Sequence, residues 1–561
     1  MSMEEKTYFD VKWVFIIAVA LFLLVFMVLP LVYLVARAFF AAGHFSLYGF
    51  NRIYTYPMNW SCLKNTRVTA GLSMVFGVLI AFPLAWLVGR TDLYGRGFFR
   101  TLFVTTYMVP PYVGAMAWLR LLNPTVGTLN VFLKNLFGLE SAPFNIYSIG
   151  GLVWVLTTFY YPYAFISISR AMENMDPSLE EASRISGASP LKTLFTVTLP
   201  LMLPSIVAAA LMVFVAAASC YGIPSIIGAP GKIHTVTTRI TEYVSIGSQE
   251  GLTDATALAV FLMLVAYMIL YVTNFVIAKK EYITISGKSV RPNTVELGRL
   301  RLPVTILVGI FAFIIVILPF ATVFATSFTM NMGKSVFAPG NVTFKYWETI
   351  LTRSSILQSA KNSLLSATLA ATCGMLICIV MAYLLVRTVV WGRKLPDFLI
   401  TVGSGTPSVV IALALVMTMS GKFVINIYNT MMIMVVAYMI KYMMMGMRTV
   451  TAAFAQISPS LEEAAQSAGA GWLTRMKDVV MPLLLPSIVA GWFLIFMPCF
   501  YELTMSNILY SDHTKTLGVE LFIYQTYHSQ QTASALAGGI LFVVVIINFA
   551  MNKLTGGRVS I

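Results

Sequence analysis

Pro177-Ser178-Leu179-Glu180-Glu181-Ala182-Ser183 is followed by Gly187-Ala188, Leu199-Pro200 and Leu203-Pro204-Ser205-Ile206-Val207-Ala208. The same pattern returns 282 residues later as Pro459-Ser460-Leu461-Glu462-Glu463-Ala464-Ala465, then Gly469-Ala470, Met481-Pro482 and Leu485-Pro486-Ser487-Ile488-Val489-Ala490. Aligned without a gap, 18 of the 32 positions are identical. Similarity at a fixed offset marks a repeat architecture, so the rest of the chain is read around these two segments. Each begins with a proline where a helix would start, and places acidic residues in the first turns, where the helix dipole favours them. Small residues at Ala182, Ser183, Ala464 and Ala465 leave room for another surface to approach. Gly187 and Gly469 are expected to end or bend the helix, since glycine takes backbone shapes that other residues resist. Pro200 and Pro482 are expected to restart the chain as an apolar helix.

The surroundings of both copies are apolar. Of 561 residues, 58% are hydrophobic and 11% charged, with a mean hydropathy of +0.82. That is too little charge to cover a soluble protein of this length, whereas a bilayer removes the need. Apolar runs of about 20 residues, the length of one crossing, fall near 14–36, 68–89, 101–122, 150–169, 201–221 and 257–278. A second set falls near 303–326, 363–386, 397–419, 428–447, 483–503 and 533–552. The fold class is therefore all-α and polytopic, with twelve transmembrane helices in two parallel six-helix repeats. The expected division is a first half at 1–278, a linker at 279–301 and a second half at 302–561. The repeated polar loops lie near 173–200 and 455–482. The run beginning near Val14 is too long for a signal-peptide core and reads as a retained first span.

Charge assigns the sides. The net charge is +15, but Lys and Arg fall between apolar runs and are densest at 90–100, 387–394 and the linker. That is the pattern of basic loops that set membrane orientation, and it excludes a nucleic-acid partner. Both termini, the linker and the two repeated loops are then expected in the cytoplasm. The five cysteines contain no CxxC and no metal-ligand spacing, and most sit in apolar runs as small hydrophobes.

Other blocks repeat too. Lys64-Asn65-Thr66 returns as Lys361-Asn362-Ser363, and Ala85-Trp86-Leu87-Val88-Gly89-Arg90-Thr91 as Ala382-Tyr383-Leu384-Leu385-Val386-Arg387-Thr388, both at an offset of 297. The offset then falls to 282, so the second half lacks 15 residues, most simply from the external loop at about 123–149.

The repeated segments resemble the EAA loop of ABC-importer permeases, the Glu-Ala-Ala…Gly…Leu-Pro signature. Two copies at equivalent places in a twelve-span repeat make the resemblance specific for a fused permease of a type I, binding-protein-dependent importer. The resemblance implies a coupling role for Glu180, Glu181, Ala182, Ser183 and Gly187, and for Glu462, Glu463, Ala464, Ala465 and Gly469. Each helix would seat in a groove of an ATPase and transmit its closure. The chain has no phosphate loop of its own. Its Gly-Lys-Ser strings at Gly287 and Gly333 have Tyr282 and Phe328 where the first glycine belongs. The expectation is thus a permease rather than an enzyme, with no cofactor bound by this chain and with ATP and magnesium held by two copies of a partner ATPase. A soluble extracytoplasmic binding protein would deliver the cargo at the bacterial inner membrane. The 15-residue excess in the first external loop would make that face asymmetric, as a monomeric binding protein requires.

Met108-Val109-Pro110-Pro111-Tyr112-Val113, Gly222-Ile223-Pro224 and Thr237-Thr238-Arg239-Ile240 resemble the fused permeases of ferric-iron importers, whose relatives move 2-aminoethylphosphonate, thiamine or polyamines. Iron is the expected cargo. Glu502, an acid near membrane depth, is a functional candidate by its cost. Tyr501, Glu502 and Tyr221 could offer hard oxygen atoms to a hard cation, while Cys220 stands opposite Glu502 at the 282 offset. The alternative is that Glu502 lies at the interface and meets water or a lysine. Lys441 is expected to snorkel to the cytoplasmic surface, and the methionines between 431 and 447 to pack. A twelve-helix secondary transporter is the rival class. The loop Gly89–Arg96 mimics the major facilitator signature but is one residue short and lacks its arginine.

Overall fold

A computed structural model describes residues 3–41, 44–278, 294–334, 338–421 and 425–554. Among them are ten helices long and apolar enough to cross a membrane, and two bent helix pairs that bring the candidate spans to twelve. Most of the expected linker, 279–293, lies outside the described residues.

The third span is Arg96–Met108 followed by Pro111–Leu122, and the ninth is Lys394–Gly405 followed by Ser408–Thr418, bent by 105° and 107°. Each bend falls inside one continuous apolar run, 101–122 and 397–419. Proline denies the residue before it a helical backbone and brings no N–H. Val109 and Thr406, each preceding a proline, are accordingly extended. Backbone carbonyls freed at such a break need partners inside a membrane. Lys441 supplies two in the ninth span: its Nζ donates to the carbonyls of Ser404 and Thr406, both at 2.8 Å. It therefore does not snorkel, because acceptors stripped of their helical donors lie within reach. The methionine stripe packs as expected, with Met434, Met439, Met443 and Met447 buried.

The fifth and eleventh spans start at Pro190 and Trp472, about ten residues before the prolines expected to begin them. Pro200 and Pro482 fall instead just after wide π turns at Leu194–Thr198 and Met476–Val480. A widened turn is one way a helix absorbs a residue without an N–H.

Packing repeats as the sequence does. Spans two, four and five form one tight group, and eight, ten and eleven form its counterpart. Of the ten unbent spans the fourth (Ile149–Glu173) and tenth (Met431–Gln456) are the most buried, at 67% and 61% of their most apolar stretch. The first spans cross over: span one lies along span nine, and span seven along span three. Each half thus clasps the other.

The repeated Lys-Asn-Thr/Ser block has a structural task. Thr66 Oγ1 and Ser363 Oγ accept the backbone N–H of Val236 and Leu517, each at 2.8 Å, at the starts of helices Val236–Ile246 and Leu517–Tyr527. Asn65 donates to the His234 carbonyl, and Asn362 to the carbonyls of His513 and Lys515. Side chains of the second and eighth spans cap these helices because the first N–H groups of a helix have no partner within it.

Candidate functional site

Each repeated segment folds as an isolated nine-residue helix, Pro177–Ile185 and Pro459–Ser467. The first is capped by Asp176, whose carboxylate accepts the Ser178 N–H at 2.9 Å; Ser458 caps the second through its hydroxyl. That bond holds the exposed Asp176 carboxyl below its ordinary range, since the charged form is the better acceptor. Both helices end in the same way. Gly187 and Gly469 take left-handed φ values of +84° and +87°. Ala188 and Ala470 then donate back to the carbonyls of Ser183 and Ala465, at 3.1 and 3.0 Å, closing the C-terminal motif that left-handed glycines permit. A Cβ at either glycine would touch nothing, so the backbone shape alone requires glycine here.

The paired glutamates divide. Glu180 turns inward and is buried, accepting the Thr198 hydroxyl at 2.7 Å, with Arg90 Nη1 3.8 Å away. Glu462 also turns inward, where it meets Arg387 Nε directly at 2.7 Å. Both arginines reach the chain just ahead of the repeat helix: Arg90 donates to the carbonyls of Met172 and Met175, and Arg387 to that of Ile457. Glu463 is exposed and Glu181 partly buried. Ala182 and Ala464 are exposed; Ser183 pairs with the Thr193 hydroxyl at 3.0 Å, and Ala465 is half-buried.

Arg90 and Arg387 were missed as site residues. Both stand in the quoted repeat block ending Arg-Thr, at the 297 offset. Glu180 and Glu462 follow the 282 offset, and the fold brings the two registers together as equivalent pairs.

Among the exposed residues of these helices and of the span starts that follow them are large apolar side chains. Leu179 and Leu461 occupy equivalent exposed positions, as do Leu191 and Leu473, the latter 75% exposed; Ile185 is 86% exposed. Val389 and Trp391 stand out from the adjoining turn of the second half. The corresponding turn of the first half is covered by the chain's own residues 295–305. Val295 pairs with it through the Arg90 carbonyl and the Asp92 N–H, and the Arg301 guanidinium lies 3.7 Å from the Tyr94 ring centre.

The four residues singled out near the outer ends of spans five and eleven are dispersed in role. Glu502 is buried, and both its oxygens accept from the Met505 N–H, at 3.0 and 2.9 Å. One of them also takes the Ser506 N–H and hydroxyl, each at 2.9 Å. It caps the turn Ser506–Leu509. Cys220 is buried, and its carbonyl accepts from Thr237 Oγ1 at 2.7 Å. Tyr221 and Tyr501 join the halves: Asn507 donates to the Tyr221 hydroxyl at 2.9 Å, and the Tyr112 hydroxyl to the Tyr501 carbonyl at 3.0 Å.

Comparison with known proteins follows the repeat. A ferric transport system permease protein, FbpB, of Actinobacillus pleuropneumoniae is 24% identical over 541 residues, covering 95% of this chain and 76% of its own. The putative ferric transport system permease protein FbpB 1 of Haemophilus influenzae is 26% identical over 486 residues, covering 85% and 74%. A chain of a bacterial alginate ABC transporter, solved with an alginate pentasaccharide-bound periplasmic protein, aligns over 51% of this chain at 19% identity with a TM-score of 0.41. The family described as binding-protein-dependent transport system inner membrane component matches twice, at residues 74–279 and 374–560. The chain belongs to this family of ABC-importer permeases and carries the family's domain twice in a single multi-pass polypeptide.

Proposed function

We propose that this chain is the permease of a ferric-iron importer of the bacterial inner membrane, with both termini in the cytoplasm, driven by two ATPase subunits that dock on helices Pro177–Ile185 and Pro459–Ser467. The observation that carries the docking is the pairing, in each half, of an inward glutamate locked to the permease with outward leucines left bare: Leu179 and Leu191, Leu461 and Leu473. Polar helices bearing bare apolar tips on a cytoplasmic face fit a partner surface. The ferric cargo rests on the relatives named as ferric permeases along nearly the whole chain.

In this reading ATP and magnesium belong to the partners and closure of the ATPase pair draws the two helices together. The push then follows two routes. One is continuous chain, since the fourth and tenth spans run into the repeat helices within a few residues. The other is sideways, through Thr198 into span five and Arg387 into span eight. On the outer face, the longer first loop holds a helix, Thr128–Phe137, with Phe132, Leu136 and Phe137 exposed. Buried Asn130 anchors it by donating to the carbonyls of Leu122, Asn123 and Phe144. This asymmetric feature is assigned to the binding protein; deleting 125–141 should abolish docking of that protein, and unimpaired docking refutes the assignment.

The test of the whole is uptake of radioactive Fe3+ by cells expressing the chain with its binding protein and ATPase. Uptake should stop when the ATPase loses its catalytic glutamate, and the purified complex should hold two ATPases per chain. No Fe3+ uptake, with ATPase-dependent uptake of labelled 2-aminoethylphosphonate, thiamine or putrescine instead, would replace the cargo while leaving the importer standing.

A further inference from the structure

Along the first span runs a groove of about 690 Å³, walled by Leu31 and Val35 of that span, Met263 and Tyr267 of span six, and Phe398 and Val402 of the first arm of span nine. Spans one and six belong to the first half and span nine to the second, so the groove lies on a seam between them. At one end stands the hairpin in which Phe40 pairs with Phe45, their rings edge to face at 5.9 Å. Behind the wall the Tyr267 hydroxyl is hydrogen-bonded to Thr406 Oγ1 at 2.6 Å, where span nine breaks. The two copies of the repeat differ here. At an offset of 289 the wide turn Leu24–Val28 and Pro30 return in span seven as Phe313–Ile317 and Pro319. Leu31 and Val35 become Phe320 and Phe324, which pack on the buried core. Where the second half carries rings, the first carries shorter side chains beside open space.

Of the fourteen lining side chains only Tyr267 carries an oxygen or nitrogen atom, and its hydroxyl is already bonded. A water here would lack the roughly two to four polar partners that hold one in place. Left empty, the wall would forfeit its dispersion contacts on one side. From Met27 to Phe40 the groove follows span one for about 20 Å at 1.5 Å per residue. That covers the depth of one leaflet, which supplies half of a hydrocarbon core about 30 Å thick. A further helix fits this wall poorly. Helices meet within membranes through small residues that let their backbones approach, and Ala36 is the only small residue among the fourteen. The others are long, branched or aromatic, and an irregular surface of that kind suits a flexible chain.

We propose that this groove is a lipid site, in which one acyl chain of a bilayer phospholipid lies lengthwise between span one, span six and the broken span nine. The lining offers van der Waals packing, the interaction left to apolar surfaces inside a bilayer, and three walls supply more of it than the flat face of one helix. The acyl chain takes the place that rings take in the second half. It also backs the Tyr267–Thr406 bond, which joins the halves. A motion that slides span nine past span six reshapes the groove, so its occupant acts on the arm that ends at the break. Neither the cargo nor the ATPase enters this assignment, which stands on the membrane-spanning fold alone.

The test is photo-labelling of the full chain in nanodiscs of phosphatidylethanolamine and phosphatidylglycerol, with a trace of phosphatidylethanolamine bearing a diazirine on its acyl chain. The protein is washed into unlabelled detergent before irradiation, so that only held lipid remains, and the adducts are mapped by mass spectrometry. Adducts at Leu31, Val35 and Val402 should exceed those at Leu72 and Val75, exposed on span two, at least fivefold. Equal labelling of the two sets would reduce the groove to ordinary passing lipid and overturn the proposal, as would labelling of neither. Val32 and Ala36 line the groove from exposed positions. Val32→Phe with Ala36→Phe should therefore fill it with protein and lower the Val402 adduct at least fivefold while the span-two adducts stay unchanged. An undiminished Val402 adduct refutes the site. Should that variant not purify, the comparison of the two sets in the wild-type chain decides alone.

Discussion

The two repeat helices open on the same six residues, Pro-Ser-Leu-Glu-Glu-Ala, yet each anchors its first glutamate to a different part of the protein. Glu180 is held from span five by the Thr198 hydroxyl, with Arg90 standing off at 3.8 Å. Glu462 has valine at the place of Thr198, Val480, and is held from span eight by Arg387 at 2.7 Å. Past the second helix, Trp472 at the start of span eleven also reaches span eight: its indole N–H donates to the Tyr383 hydroxyl at 2.9 Å. An identical string is thus anchored to two different spans. In the proposed docking, the repeat would set what a partner meets and the residues behind it would set where the motion is passed on.

Four experiments break or sharpen that contrast. The largest effect is expected from charge on the bare tips. Leu191→Asp and Leu473→Asp should each lower recovery of the ATPase with the purified chain at least tenfold, the first more than the second if Ile185 widens the first patch. Equal losses would mean the two docking faces are equivalent.

Next comes Arg387→Ala, which strands the nearly buried Glu462. Losing one member of a buried pair costs about 3 kcal/mol, visible as a lowered melting temperature in detergent; Arg387→Ala with Glu462→Gln should recover much of it. Thr198→Val, which copies the second half into the first, should cost about 1.5–2 kcal/mol, the worth of a hydrogen bond to a charged group. No change would show that Arg90 alone holds Glu180. The smallest effect concerns the caps. The folded protein holds Asp176 below its unfolded value of about 3.9. Its contribution is therefore complete above that value and is lost as pH falls through the lower, folded one. Hydrogen exchange at Ser178 should quicken on acidification below the ordinary carboxylate range relative to Ser460, and Asp176→Ser should erase the difference.

How much of this was readable beforehand depended on whether a feature lies along the chain or across it. The twelve spans follow from apolar length, and their pairing into halves from offsets of 297 and 282. The repeat helices, their proline starts and their glycine ends are local matters, and they stand where composition put them. The bends at Pro110 and Pro407 were hidden inside runs of sufficient length, although the prolines were in view. Lys441 was misread because its acceptors exist only once the ninth span breaks. Glu502 was visible as an acid near membrane depth, but not the amides of Met505 and Ser506 that its carboxylate accepts from.

The amino-acid sequence by itself determined the class of protein, the count of spans, the duplication and the two short helices between the spans. Each of these is written in local composition or in fixed spacing, which survive any detail of packing. Only the tertiary structure decided that the first spans are exchanged between halves and that Arg90 and Arg387 stand behind the glutamates. Those facts join residues about 75 to 400 positions apart, and proximity of that kind depends on how helices pack rather than on what any one of them contains.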